Sequence, residues 1–100
     1  MTDENKFFED FEIGESYTTN ARTITESDIV FHAMHSADWQ PHHTNEEFAK
    51  TQSFKTRIAH GNLTFCVSTG LIFQSSSENP NIMAYGYDKI RYPNPVFPGD

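Results

Sequence analysis

Gly61-Asn-Leu-Thr-Phe-Cys-Val-Ser-Thr-Gly-Leu-Ile-Phe-Gln74 is the stretch from which the fold is read. Leu63, Cys66, Val67, Gly70 and Leu71 recur at the spacing of one helical face, and Phe65, Ile72 and Phe73 widen it. The pattern predicts a buried helix over 61–74, with Cys66 inside it as a small hydrophobe. Gly70 costs about 1 kcal/mol relative to Ala in a helix, so a close packing contact is expected there. Such a helix needs cover on several sides, because each exposed Leu, Ile or Phe forgoes roughly 1.5–3 kcal/mol of burial. Two segments read as strands to supply it: Ser16 to Thr25, and Ile82 to Tyr92 with a bend at Gly86. One long apolar helix against an antiparallel sheet is an α+β arrangement. Two strands are too few to wrap it.

Immediately upstream stands Arg57-Ile-Ala-His60-Gly61-Asn62. Gly61 falls at the helix start, where backbone N–H groups lack helical partners and the dipole favours negative charge. Glycine also lets another molecule approach the backbone closely. The site suits an oxygen that gains negative charge, and a plain capped helix start explains the same residues.

Further upstream, Asp38-Trp-Gln-Pro-His42-His43 is the densest polar cluster. Five residues of helix would set Asp38 and His43 roughly 140° apart. Pro41 forbids a regular helix, so the segment turns, and a turn can bring both side chains to one point. A carboxylate and an imidazole around one water form an acid–base pair. From spacing alone, an Asp in a turn beside an exposed histidine pair is the favoured reading, since such six-residue stretches arise by chance. Before this cluster, Thr25-Glu-Ser-Asp28 resembles a capping box, followed by Ile29, Val30, Ala33, Met34 and Ala37 on one helical face. After it, Asn45 can cap a short helix over Glu46 to Thr51.

The 100 residues make one domain with a modest core, the size at which oligomerisation commonly adds burial. Aromatic residues are 14% of the chain, which argues against disorder. A net charge of -7, with seven scattered basic residues, excludes nucleic acid and membrane surfaces as natural partners. Lys55 and Arg57 read as solvated, and are the local cations available to a phosphorylated carrier. One cysteine forms no internal disulfide, the acidic N-terminus is no signal peptide, and no apolar run approaches a membrane span. A reducing, cytoplasmic setting follows as the expectation. His32 and His35 share a helical face, and His42, His43 and His60 follow. No Cys or carboxylate completes a recognisable ligand spacing, so neither metal nor cofactor is expected.

Taken together, these stretches resemble the MaoC-like dehydratase family, which includes (R)-specific enoyl-CoA hydratases. The resemblance runs from Phe8 to Asp100. It is carried by Phe8-Glu-Asp-Phe11-Glu-Ile-Gly14, Arg22-Thr-Ile-Thr25-Glu-Ser-Asp28-Ile, Asp38-Trp-Gln-Pro-His-His43-Thr, Phe48-Ala49, Arg57-Ile-Ala-His-Gly61, Thr69-Gly-Leu71 and Pro95-Val-Phe-Pro-Gly-Asp100, in order and spacing. It implies a hot-dog fold, in which an antiparallel sheet wraps the long helix. It also implies reversible hydration of a 2-enoyl thioester carried by coenzyme A or acyl carrier protein, without a cofactor, in a homodimer. By the same resemblance Asp38 and His43 activate the water, the Gly61 N–H binds the thioester carbonyl, and Thr69 stands where related hydratases carry a serine. The chain departs from the family at Gln40 for Asn, Ala37 for a common Gly, His42 for an apolar residue and Asn62 for a frequent Met. Family members also continue past Pro-Gly-Asp with further strands, so the single domain is expected to be incomplete as an enzyme. A non-catalytic hot-dog module that binds acyl thioesters, or a partner subunit, is the first alternative. A histidine-rich metal-binding protein is the second.

Overall fold

The computed structural model describes residues 5–76 and 78–100. The element order is a 3-10 turn at Phe8–Asp10, then α1 (Glu26–Ser36), α2 (Pro41–Thr44), α3 (Glu46–Ala49) and α4 (Gly61–Gln74). The chain divides into two compact units, one of residues 1–21 with 68–90 and one of residues 22–67 with 91–100. The boundary falls within α4.

In the second unit, α1 begins at the capping box expected from the sequence. Thr25 Oγ1 accepts from the Asp28 N–H at 3.1 Å, and Asp28 Oδ2 accepts from the Thr25 N–H at 2.8 Å. That second bond, reinforced by Arg22, holds the Asp28 carboxyl below its usual range. Ile29 and Ala33 face inward one turn apart, at 2% and 0% exposure. Ile29 packs with Ile24, Ala59 and Leu63, and Val67 and Val96 lean on this cluster. α3 starts at Asn45, whose Oδ1 accepts from the Phe48 N–H at 3.1 Å, and it ends at Ala49 rather than Thr51. Pro41 is the first residue of α2, where its missing N–H costs nothing.

In the first unit, Lys6 pairs with Glu15 at 3.6 Å and lies over the Phe11 ring. Its carbonyl accepts from Asn79 Nδ2 at 3.0 Å. Every buried residue among those described lies in the second unit.

Several expectations are corrected. No strand forms among the described residues: 16–25 and 82–92 carry no ladder, because neither finds a partner strand for its backbone groups. The nearest approach is at Ile24, whose N–H donates to the Asp100 carbonyl at 2.7 Å and whose carbonyl accepts from the Gly99 N–H at 2.8 Å. The helix over 61–74 forms as expected, but only Leu63 of it is buried, and Ile72 and Phe73 stay 49% and 61% exposed. Its core-facing stripe is narrow, set by Leu63 and Val67, and Cys66 falls outside it and is exposed. A Cβ on Gly70 meets nothing within 4 Å, so no close contact explains that glycine. The bend in the last segment lies at Asp88, not Gly86.

α1 stops at Ala37, whose φ of 62° is left-handed. A Cβ there costs about 1–2 kcal/mol, and a glycine avoids it. Ala37→Gly is therefore expected to raise unfolding free energy by about 0.5–1 kcal/mol in denaturant titration, the gain being trimmed by glycine's freedom in the unfolded chain.

Candidate active site

The site grows from the extended tripeptide Ile58-Ala59-His60, which leads into α4. The Ile58 N–H donates to the His42 carbonyl at 3.0 Å, and the Ala59 N–H to the Val96 carbonyl at 2.7 Å. Its upstream end is anchored by Glu46 on α3, whose Oε1 accepts from Thr56 Oγ1, the Arg57 N–H and Arg57 Nε at 2.9, 3.2 and 3.0 Å. Thr56 first, then Arg57, holds the Glu46 carboxyl below its usual range. Arg57 also pairs with Glu26, so it is tied between two carboxylates rather than solvated, and is no free phosphate ligand. Those carboxylates, Glu26 foremost, push its pKa up.

His43, on α2, sets its Nδ1 2.7 Å from the Ile58 carbonyl. A carbonyl only accepts, so Nδ1 carries the proton and Nε2 presents a lone pair. His60 does the converse: its Nε2 lies 2.9 Å from the Asp38 carbonyl and must donate. The two imidazoles stack with centroids 4.0 Å apart, and His32 meets His60 edge-on at 4.6 Å. One polar atom from each of Asp38, His43 and His60 lies within 4.8 Å of the others. Asp38 is half-buried, and its Oδ1 accepts from the Gln40 N–H at 3.3 Å. The turn required by Pro41 thus brings the Asp38 carboxylate and the His43 imidazole to one place.

Burial holds the His43 pKa below its ordinary value, and the His60 ring adds to this, against the opposing pull of the Ile58 carbonyl and Asp38. A neutral imidazole with an exposed lone pair is a proton acceptor near neutral pH. The same three residues are compact enough to weigh as a metal centre. His43 Nδ1 and His60 Nε2 each face a backbone carbonyl, which leaves one nitrogen of each ring for an ion.

His43 opens onto a cavity of about 610 Å³, walled by Phe54, Ile58, Ala59, Pro95 and Val96 and reached also by Gly61, Thr64, Arg91 and Tyr92. That volume suits a small organic ligand. The wall is largely apolar, and His43, the Gly61 helix start, Thr64, Arg91, Tyr92 and Asn94 supply polar groups. A Cβ on Gly61 would sit 2.3 Å from the Tyr92 ring, whose hydroxyl donates to Asn62 Oδ1 at 2.9 Å. Thr69 belongs to the other unit and is exposed on α4. Thr64, at i+3 from Gly61, lines the cavity. Sequence reasoning also missed His60, the Ile58 carbonyl, Arg91 and Tyr92. Only Thr64 had a local signal, its helical register with Gly61.

The family model described as "MaoC like domain" matches residues 9–100. Protein MaoC of Klebsiella aerogenes is 37% identical over 95 residues, which are 95% of this chain and 28% of that protein. The (R)-specific enoyl-CoA hydratase of Rhodospirillum rubrum is 52% identical over 58 residues, 58% of this chain and 40% of that protein. The chain thus spans well under half the length of these two curated relatives. Among solved structures, a monoamine oxidase regulatory protein of Archaeoglobus fulgidus superposes with a TM-score of 0.88 at 35% identity, covering 99% of this chain and 67% of that one.

Two outcomes test the site. Histidine ¹⁵N spectra should show His43 as the Nδ1–H tautomer, half-protonated below pH 6.5. Because the unfolded chain then binds the proton more readily, stability should decline as pH falls through that range. Gly61→Ala should displace Tyr92, break its bond to Asn62 and lower the melting temperature.

Proposed function

This chain belongs to the MaoC-like domain family, and we propose that it hydrates and dehydrates a 2-enoyl thioester with Asp38 and His43 as its acid–base pair. The observation that supports this most is the His43 imidazole, its Nδ1 tied to the Ile58 carbonyl, lining a largely apolar cavity with a ring nitrogen within 4.8 Å of an Asp38 carboxylate oxygen. In hydration, Nε2 takes a proton from water as the water oxygen bonds to C3 of the enoyl group. The electrons of the double bond move onto the thioester oxygen. The N–H of Gly61, at the positive end of α4, stabilises that oxygen, a contribution worth about 3 kcal/mol in comparable sites. The proton then passes from the pair to C2, and dehydration runs the same steps backwards. The named relatives support the substrate class, one of them being an enoyl-CoA hydratase.

In this reading the acyl carrier is coenzyme A or acyl carrier protein, and α4 is the central helix of a hot-dog fold in a homodimer. The superposition over 99% of the chain supports the shared fold. The thioester carries no redox or Lewis-acid demand, so the residues described suffice for the proton transfers.

Asp38→Asn and His43→Gln should each lower hydration of a 2-enoyl-CoA by about 10² or more while leaving the fold intact, the size of effect expected from a lost acid or base. Loss of the conjugated enoyl absorbance measures it. Two variants at wild-type rate refute the assignment.

A further inference from the structure

His60 is 2% exposed, the largest fully buried side chain in the described structure, and the most polar. It donates Nε2–H to the Asp38 backbone carbonyl at 2.9 Å, stacks on His43 at 4.0 Å and meets His32 at 4.6 Å. Its Nδ1 is buried without a protein partner among the described residues. A buried polar atom in that state is costly, and native structures keep few of them. A phenylalanine would fill the space without that cost, and a glutamine would supply the donor. The imidazole supplies both at once.

The donor is the part that reaches the chemistry. Asp38 follows the left-handed Ala37, and its own carboxylate closes a tight turn onto the Gln40 N–H. Among the described residues, no other hydrogen bond ties the Asp38 carbonyl to the body of the unit. His60 is also the residue directly before Gly61, in the tripeptide whose Ile58 carbonyl fixes the His43 tautomer. One residue thus sets acid, base and helix start in a common frame.

Resting on the Asp38/His43 reading, we propose that His60 is the positioning residue of the pair, holding Asp38 in place through its backbone carbonyl while its ring supports His43. It touches no substrate. Its effect is on how well the acid is aimed, so it appears in kcat and not in binding. Small misplacements of a reacting group are known to cost large factors in rate.

The test compares His60→Phe, which keeps a ring and loses the donor, with His60→Gln, which keeps a donor and loses the ring, in the full chain. Asp38→Asn runs in parallel. Hydration kinetics on a short-chain 2-enoyl-CoA and thermal unfolding are measured for all three. His60→Phe should lower kcat about 10-fold or more with KM within about 3-fold of wild type, the size expected for one hydrogen bond and the alignment it secures. His60→Gln should recover most of that kcat. A wild-type kcat in His60→Phe beside an inactive Asp38→Asn overturns the positioning role and leaves the acid–base pair standing. Equal loss in both His60 variants, tracking their melting temperatures, also overturns it, since His60 would then serve only the fold. Should His60→Phe fail to fold, His60→Gln decides: near-wild-type kcat supports the role, and a loss as deep as that of Asp38→Asn refutes it. Full turnover in Asp38→Asn instead removes the pair itself, and the inference with it.

Discussion

Four hydrogen bonds made by Ile58-Ala59-His60 organise everything else in the second unit. The tripeptide reaches α2 through the His42 carbonyl and the His43 ring, the terminal segment through the Val96 carbonyl, and the acid loop through the Asp38 carbonyl. An extended backbone can serve three neighbours this way because its donors and acceptors point outward in alternation. Each bond is worth only about 1 kcal/mol net, but leaving any of them unmade beneath Ile24, Ile29 and Leu63 would cost more. The geometry of the site is thus a by-product of satisfying buried backbone groups.

Charge reinforces that arrangement from outside. Glu46 gathers Thr56 and Arg57, and Arg57 reaches on to Glu26 in the first turn of α1. These groups are partly exposed, so each pair contributes modestly in water. Their service is to fix where residue 57 ends and Ile58 begins. The same ties explain why a chain of net charge -7 offers little cationic surface here. Arg91 is the cation among the residues that line the cavity.

Local signals were legible in the residues, and signals that depend on distant partners were not. Thr25 and Asp28 announce the start of α1, and Asn45 that of α3, because a cap is written in four consecutive residues. The bounds of α4 follow from periodicity alone. Which of its faces is covered does not, since that depends on segments elsewhere in the chain, and only Leu63 is buried. Pro41 demands a turn that can bring Asp38 and His43 together, but it was the family resemblance, not the spacing, that singled them out. His60 could not: its burial, its stacked ring and its donation to Asp38 appear only once residues 22 apart are brought together. The strands expected at 16–25 and 82–92 failed for the same reason, a ladder being a property of two segments and not of one.

The central claim is that one apolar cavity aligns a thioester between the Gly61 helix start and the neutral face of His43. A structure of the full chain with a bound 3-hydroxyacyl-CoA tests it most directly. The account predicts the thioester oxygen within about 3 Å of the Gly61 nitrogen, and the 3-hydroxyl within hydrogen-bond reach of both His43 Nε2 and an Asp38 oxygen. A thioester seated away from Gly61, or a His43 ring turned to present Nδ1 to the hydroxyl, would contradict it.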